Sequence, residues 1–445
     1  MQYTQLTDND VRQMLDRIGI ESIDALFQNV PKRARLDRPL CLPAAMTEPE
    51  LIAHLGALAG ANHGCDELTC FLGGGAYDHF IPTVVDALAG QSEFVTAYTP
   101  YQAEASQGAL QAFFEYQTLI CQLTGMDVSN ASLYDGATAT AEAALMARGA
   151  NGRRRLIVSG GVHPDTRRVL ETYLRELPME LEIIETPTGL TDPGVLRKAC
   201  SDETTAVVVQ SPNFFGCVES LERLAAVTHD AGAPLIASVD PIACGLLKLP
   251  GACGVDIAVG EGQPLGIPLG WGGPYLGFMA VREAFMRKLP GRLVGATRDT
   301  NGRRSFCLTL QTREQHIRRE RATSNVCTNQ GLLALRATIY LSAVGRTGIA
   351  NVASLCLSKA HYAAERIAAL DRFELAFAAP FFKEFVVRTR KDVGKVLQHA
   401  RQHGILAGVA LGRWHEALRD CFLVAVTEKR TRAQIDALVA ALKEA

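Results

Sequence analysis

The sequence predicts an α/β protein, with a mostly parallel sheet in a large domain followed by a small α+β domain at the C-terminus. Three observations predict it. Short apolar runs at 155–159, 182–184, 206–209, 235–239 and 257–259 recur at roughly 25-residue intervals, the length of a strand plus a crossover helix. Helix-forming stretches such as 221–231 lie between them, which points to βαβ units whose sheet is covered on both faces. Beyond residue 370 the texture changes, with short strands at 385–388 and 422–426 alternating with helices such as 431–442.

At the N-terminus, Val11, Met14, Leu15 and Ile18 fall on one helical face, with Thr7 and Asp8 as cap candidates and Gly19 after them. Ile23, Leu26 and Phe27 form a second short apolar face, so residues 1–65 read as a helical arm of the kind that packs on a partner subunit. Residues 66–328 form the large domain, closed by one further strand at 275–281. Residues 329–370 read as a long Leu- and Ala-rich helix broken only by Gly345 and Gly348, and it leads into the small domain to make a unit of 329–445.

Composition excludes several classes. A formal charge of −2, from 45 basic and 47 acidic residues, sets up no field to draw in nucleic acid or an anionic membrane. No apolar run reaches the length of a membrane span, and the first residues lack the pattern of a secretory signal, so a cytoplasmic enzyme is expected. The 12 cysteines are scattered singly and read as reduced, mostly buried thiols; Cys65 and Cys70 lack the second pair that zinc needs.

Residues 256–274 stand where a pyridoxal-phosphate enzyme carries its Schiff-base lysine, and they contain no lysine; the candidate position is Gln263. An amide cannot form the imine. Asp240, at the end of the 235–239 run, is placed to pair with a pyridinium nitrogen or merely to cap the turn into Pro241. His163 reads either as a ring-stacking residue or as a loop residue. Residues 134–140 open a small-residue helix whose amides suit a phosphate, or equally N-capping by Asp135 or Thr138. The Gly73-Gly74-Gly75 run brings backbone close to a ligand or simply permits positive φ. Polar residues crowd 291–297, 302–306 and 312–321, which composition alone reads as a solvated helix, although interleaved arginines also suit phosphate or an interface.

Residues 96–108 (Thr-Ala-Tyr-Thr-Pro-Tyr-Gln-Ala-Glu-Ala-Ser-Gln-Gly), 302–320 and 322–328 (Ala-Thr-Ser-Asn-Val-Cys-Thr) closely resemble the glycine-cleavage P-protein family, over essentially the whole chain. Within it, the chain resembles the N-terminal, or alpha, subunit of the split two-subunit form. Arg321 stands where the family pattern has lysine, a charge-preserving change.

The resemblance implies the type I pyridoxal-phosphate-enzyme fold. It also implies no cofactor bound covalently by this chain, and pyridoxal phosphate on a lysine-bearing partner subunit in an α2β2 assembly. That assembly would decarboxylate glycine and pass the aminomethyl group to the lipoyl arm of the H-protein. Tyr98, Thr99, Tyr101 and Gln102 are then the candidates for a shared site, with His163, Asp240 and Gln263 as inherited remnants and no metal. An alternative is a catalytically silent subunit that only stabilises its partner. A third reading puts the cofactor on Lys248, in a loop beyond Asp240 with no strand end to aim it.

Overall fold

A computed structural model describes residues 5–95, 98–100 and 102–445. The chain divides into two compact units, Met1–His63 and Gly64–Ala445.

The first unit holds helices α1 (Asp8–Ile18) and α2 (Glu48–Ala59). Thr7 caps α1 by accepting from the Asp10 amide while Asp10 reaches back to the Thr7 amide, and Gly19 ends the helix in the left-handed region at φ 82°. The 23–27 face forms a single 3₁₀ turn, Ile23–Phe27. Neither helix contains a buried residue, and Leu26, Phe27, Leu40, Leu42 and Ile52 are exposed.

The second unit is organised by a seven-stranded sheet: β1 (Val128–Ser129), β2 (Arg155–Ser159), β3 (Glu180–Ile184), β4 (Thr204–Ser211), β5 (Leu235–Val239), β6 (Ile257–Glu261) and β7 (Gly277–Val281). Its order is β1-β7-β6-β5-β4-β2-β3, with only β7 running antiparallel to its neighbours. Because side chains alternate along a strand, Val207 and Val209 of β4 pack toward α3 (Gln107–Thr124), and Ala206 and Val208 toward α4 (Gly136–Asn151). Both faces are dry, which is why these strands read as continuous apolar runs rather than as alternation. The side chains of Val207, Val208, Ile236 and Ile257 are essentially inaccessible, each worth roughly 1.5–3 kcal/mol of burial.

A four-stranded antiparallel sheet follows the long helix: β8 (Phe373–Leu375), β9 (Glu384–Thr389), β10 (Val409–Ala410) and β11 (Cys421–Ala425), in the order β8-β9-β11-β10. One face packs Phe385, Val387 and Phe422 on the long helix and on Ile435 and Leu438; the other packs Val386 and Leu423 on Phe214 and Phe215. Those two phenylalanines lie just beyond the C-terminal end of β4, so this packing holds the start of β9 over the C-terminal ends of the parallel strands. Gly216 permits the approach: its φ is +84°, and a Cβ there would lie 1.9 Å from the Glu384 carbonyl oxygen.

The long helix, Gly331–Ala368, kinks at Gly345, whose φ of 61° and ψ of −177° are not helical. The polar 291–321 segment corrects the composition reading. Val294–Arg298 and Arg304–Leu308 form an antiparallel hairpin, and only Gln315–Arg318 makes an α-helical turn. Turn chemistry overrides composition here: Asp299 Oδ1 accepts from the amides of Asn301 and Arg303, and Gly302 takes φ +77°. The thiols are also less uniformly buried than expected, with six buried, four partly buried and two, Cys41 and Cys327, exposed. No described helix is long and apolar enough to cross a membrane.

Candidate functional site

A cleft of about 310 Å³ opens at the C-terminal ends of the parallel strands, where open α/β sheets bind ligands. Its floor comes from the ends of β5 and β6, one wall from the start of α4 and from His163, and its roof from the Gly74–Tyr77 loop and from Lys383 and Glu384 at the start of β9.

Lys383 is the central group. Only 1% exposed, its ammonium lies 2.6 Å from Asp240 Oδ2, 3.1 Å from His79 Nε2 and 3.5 Å above the centre of the Tyr77 ring. A buried ammonium persists only where partners replace its water, and three are in place. Asp240 Oδ1 caps the turn, as one reading had it, by accepting from the amides of Ile242 and Ala243, while Oδ2 pairs with the Lys383 ammonium, a partner the sequence reading did not name.

The network continues through His79. Burial and then the Lys383 ammonium push the His79 pKa down, so the ring is neutral, with Nε2 accepting from Lys383 and Nδ1–H donating to Glu428 Oε2 at 2.6 Å. Burial pushes Glu428 up, but the His79 hydrogen bond and the Phe80 amide outweigh it and hold the carboxyl at about 2. Cys356 donates its thiol to the same oxygen at 3.4 Å. His79, Cys356 and Glu428 gather three metal-type ligand atoms, yet these hydrogen bonds already account for each of them.

Two further carboxyls face the cleft. Burial raises Glu384 to about 7 against the pull of the Gly74 amide, which donates to Oε1 at 2.7 Å, and of the Lys383 charge; the Tyr77 hydroxyl donates to its Oε2 at 2.8 Å. Burial likewise raises Glu261 to about 7, although Oε1 accepts from the amides of Gln263 and Leu276 and Oε2 from the Gly136 amide at 3.0 Å. Gly136 is the first residue of α4, where Asp135 also caps by accepting from the Thr138 amide at 2.7 Å. Space at Gly136 is tight as well, since a Cβ would lie 2.8 Å from the Glu261 nitrogen.

Gln263 is 2% exposed, and its amide makes three bonds: Oε1 accepts from the Tyr77 amide at 2.9 Å, and Nε2 donates to the carbonyls of Tyr77 at 3.0 Å and Ile267 at 2.8 Å. It stitches the Gly74–Tyr77 loop to the chain after β6. His163 is the N-cap of the helix Pro164–Leu174: Nδ1 accepts from the Asp165 amide, Nε2–H donates to the Gly74 carbonyl at 2.7 Å, and the ring meets Phe214 edge-on. Gly74 and Gly75 of the glycine run line the cleft, and Gly74 bonds both Glu384 and His163.

The family model described as glycine cleavage system P-protein matches residues 1–442. The chain belongs to the glycine cleavage system P-protein family. It is 50% identical over 442 residues to the probable glycine dehydrogenase (decarboxylating) subunit 1 of Desulforamulus reducens, covering 99% of each chain. It is 51% identical over 443 residues to the protein of the same description from Moorella thermoacetica, covering 100% of this chain and 99% of that one. A crystal structure of glycine decarboxylase (P-protein) in inhibitor-bound form superposes with a TM-score of 0.92 at 44% identity, over 100% of both chains. Sphingosine-1-phosphate lyase of Burkholderia pseudomallei, at 15% identity, 93% of this chain, 94% of that one and a TM-score of 0.67, shares the fold alone. The fold is the type I pyridoxal-phosphate-enzyme fold.

P-proteins depend on pyridoxal phosphate, and the residues of this cleft do not fit it. Gln263, the residue predicted for the lysine position, has no amine and is buried rather than lining the cleft, Asp240 is taken by Lys383, and the Gly136 amide is taken by Glu261. Lys248 supplies no substitute, since its exposed side chain pairs with Glu222 on the surface. Of the P-protein loop residues singled out in the sequence, Tyr98 is 80% exposed, Thr99 accepts from Arg292, Gln102 is exposed, and Tyr101 lies outside the described residues. None of those described lines this chain's cleft. Sequence reasoning missed Lys383, Glu384, Tyr77 and His79. The Lys-Glu pair inside Phe381-Phe382-Lys383-Glu384-Phe385 was the available signal, two charges set within an aromatic run that had to be buried.

Proposed function

We propose that this chain is the non-cofactor-bearing subunit of glycine dehydrogenase (decarboxylating), working with a second, lysine-bearing P-protein subunit in an α2β2 assembly. The assembly decarboxylates glycine and transfers the aminomethyl group to the lipoyl arm of the H-protein. The observation that carries this reading is Gln263, a buried, hydrogen-bonded amide at the position predicted for the lysine, in a chain that aligns end to end with proteins described as subunit 1. The cofactor, when bound in the partner, supplies the electron sink for loss of CO2. This chain's part is to bind the partner and complete the wall of its site.

Two features support that part. The exposed Tyr98 stands on a loop tied down by the contact of Thr99 with Arg292, which also donates to Asn329. We assign Tyr98, Thr99, Tyr101 and Gln102 to the partner's substrate pocket, where a held aromatic and an amide orient a small polar substrate. The N-terminal unit, with Phe27, Leu40 and Leu42 exposed, offers the partner an apolar surface. A cytoplasmic setting accords with 12 free thiols.

The test is reconstitution. Each subunit is purified separately and assayed, alone and mixed, for glycine-dependent exchange of labelled bicarbonate in the presence of lipoylated H-protein. Only the mixture is expected to exchange. Exchange by this chain alone would refute the assignment.

A further inference from the structure

Resting on the reading that the partner holds the cofactor, we propose that this chain's own cleft is filled by internal counterparts of the cofactor's charged groups. Lys383 takes the place of the pyridinium N–H at Asp240, and Glu261 takes the place of the phosphate at the start of α4. The missing lysine is therefore only one of three barriers, and restoring it alone does not restore binding.

The cation side rests on Lys383. A pyridinium N–H is a single positive donor facing a carboxylate at a strand end, and the Lys383 ammonium is the same kind of donor at 2.6 Å from Asp240 Oδ2. Its other contacts, His79 Nε2 and the Tyr77 ring, hold it there from the loop side. A ring nitrogen arriving at Asp240 would have to expel this ammonium from its buried partners, and Glu384, the adjoining buried carboxyl, is already bonded to the Gly74 amide and the Tyr77 hydroxyl.

On the anion side, phosphate binds a helix N-terminus because unpaired amides and the helix dipole point at it. In α4 the Gly136 amide donates to Glu261 Oε2 and the Thr138 amide to Asp135 Oδ1. A phosphate there would meet two carboxyls and find no free cation among the lining residues, Lys383 being committed to Asp240. Pairing Lys383 with Asp240 and Glu261 with Gly136 satisfies from within the strand-end carboxylate and the first amide of α4, two groups that the cofactor would have satisfied from outside. Lys383 itself does not serve as an imine-forming amine, because its ammonium is held by three partners.

The test uses this chain assembled with its partner. After addition of pyridoxal phosphate and reduction with borohydride, peptide mapping reads pyridoxyl-lysine on this chain. Gln263→Lys alone is expected to give no label above wild type. Gln263→Lys combined with Glu261→Gln and Lys383→Met is expected to be labelled at position 263, by at least about tenfold over the single variant, the size of effect of one anion at a helix N-terminus. Near-stoichiometric labelling of Gln263→Lys alone would overturn the proposal, as would a triple variant that co-purifies with the partner and stays unlabelled. Should the triple variant not assemble, Glu261→Gln alone decides: calorimetry with pyridoxine phosphate is expected to show about tenfold tighter binding than wild type, and equal affinity overturns the proposal. Labelling of the wild-type chain would instead defeat the functional reading, so the two failures are distinct.

Discussion

Replacing Lys383 with methionine removes the ammonium while keeping most of the side-chain volume, and it should be among the most damaging single changes outside the apolar core. Asp240 would be left with its capping bonds to Ile242 and Ala243 but no counter-ion, and His79 Nε2 would lose its donor. Breaking a buried pair from one side costs about 3–5 kcal/mol, because the stranded charge keeps its desolvation penalty. Loss of the contact with the Tyr77 ring adds to this. The expectation is about 4 kcal/mol, a large share of a total stability of order 5–15 kcal/mol. Urea unfolding followed by circular dichroism should show the midpoint falling by about 0.5–1 M, since m rises with the size of the chain. Lys383→Met with Asp240→Asn should recover about half the loss, since the asparagine oxygen still caps the turn and no charge remains buried. A coupling energy between the two sites below about 0.5 kcal/mol, as for exposed ion pairs, would refute the reasoning.

The remaining expectations concern neighbouring groups. Glu384 is raised from its ordinary 4.5 to about 7 by burial, so the fold favours its protonated form. Stability from this group is complete below about pH 4.5 and is lost as pH rises through about 7, by about 3 kcal/mol at about 1.4 kcal/mol per pH unit. Glu384→Gln should therefore gain on wild type between about pH 5 and pH 8.5 in parallel urea titrations, and a pH-independent difference would count against it. Gln263→Lys loses the acceptor for the Tyr77 amide and buries an ammonium, so thermal denaturation should show about 2–4 kcal/mol of lost stability, whereas an unchanged melting temperature would contradict the buried placement. Tyr98→Ala should leave the stability of this chain within about 0.5 kcal/mol. Turnover of the assembled enzyme should fall by about tenfold or more; unchanged turnover would favour a purely stabilising subunit.

The fold was legible wherever a strand is covered on both sides. The runs at 155–159 and 235–239 appear with those bounds, and the 206–209 run proves to be the centre of Thr204–Ser211, whose polar ends, Thr204, Gln210 and Ser211, hid its length. The two-residue strand Val128–Ser129 left no periodic signal, and the 294–308 hairpin was masked by its arginines. Of the residues lining the cleft, Asp240 and His163 could be named because each follows closely on the end of a strand. Lys383 could not, because it comes from a different sheet and meets His79 across 304 residues. Alternation within one segment says which side is buried, but not which distant charge will be buried opposite it.

Whether the reactive carbonyl group of the enzyme is held by the partner and not by this chain can be read on the assembled protein as purified. Borohydride reduction followed by peptide mapping of both subunits should place pyridoxyl-lysine on the partner alone, with Lys248 and Lys383 unmodified. A pyridoxyl group on any lysine of this chain would contradict it.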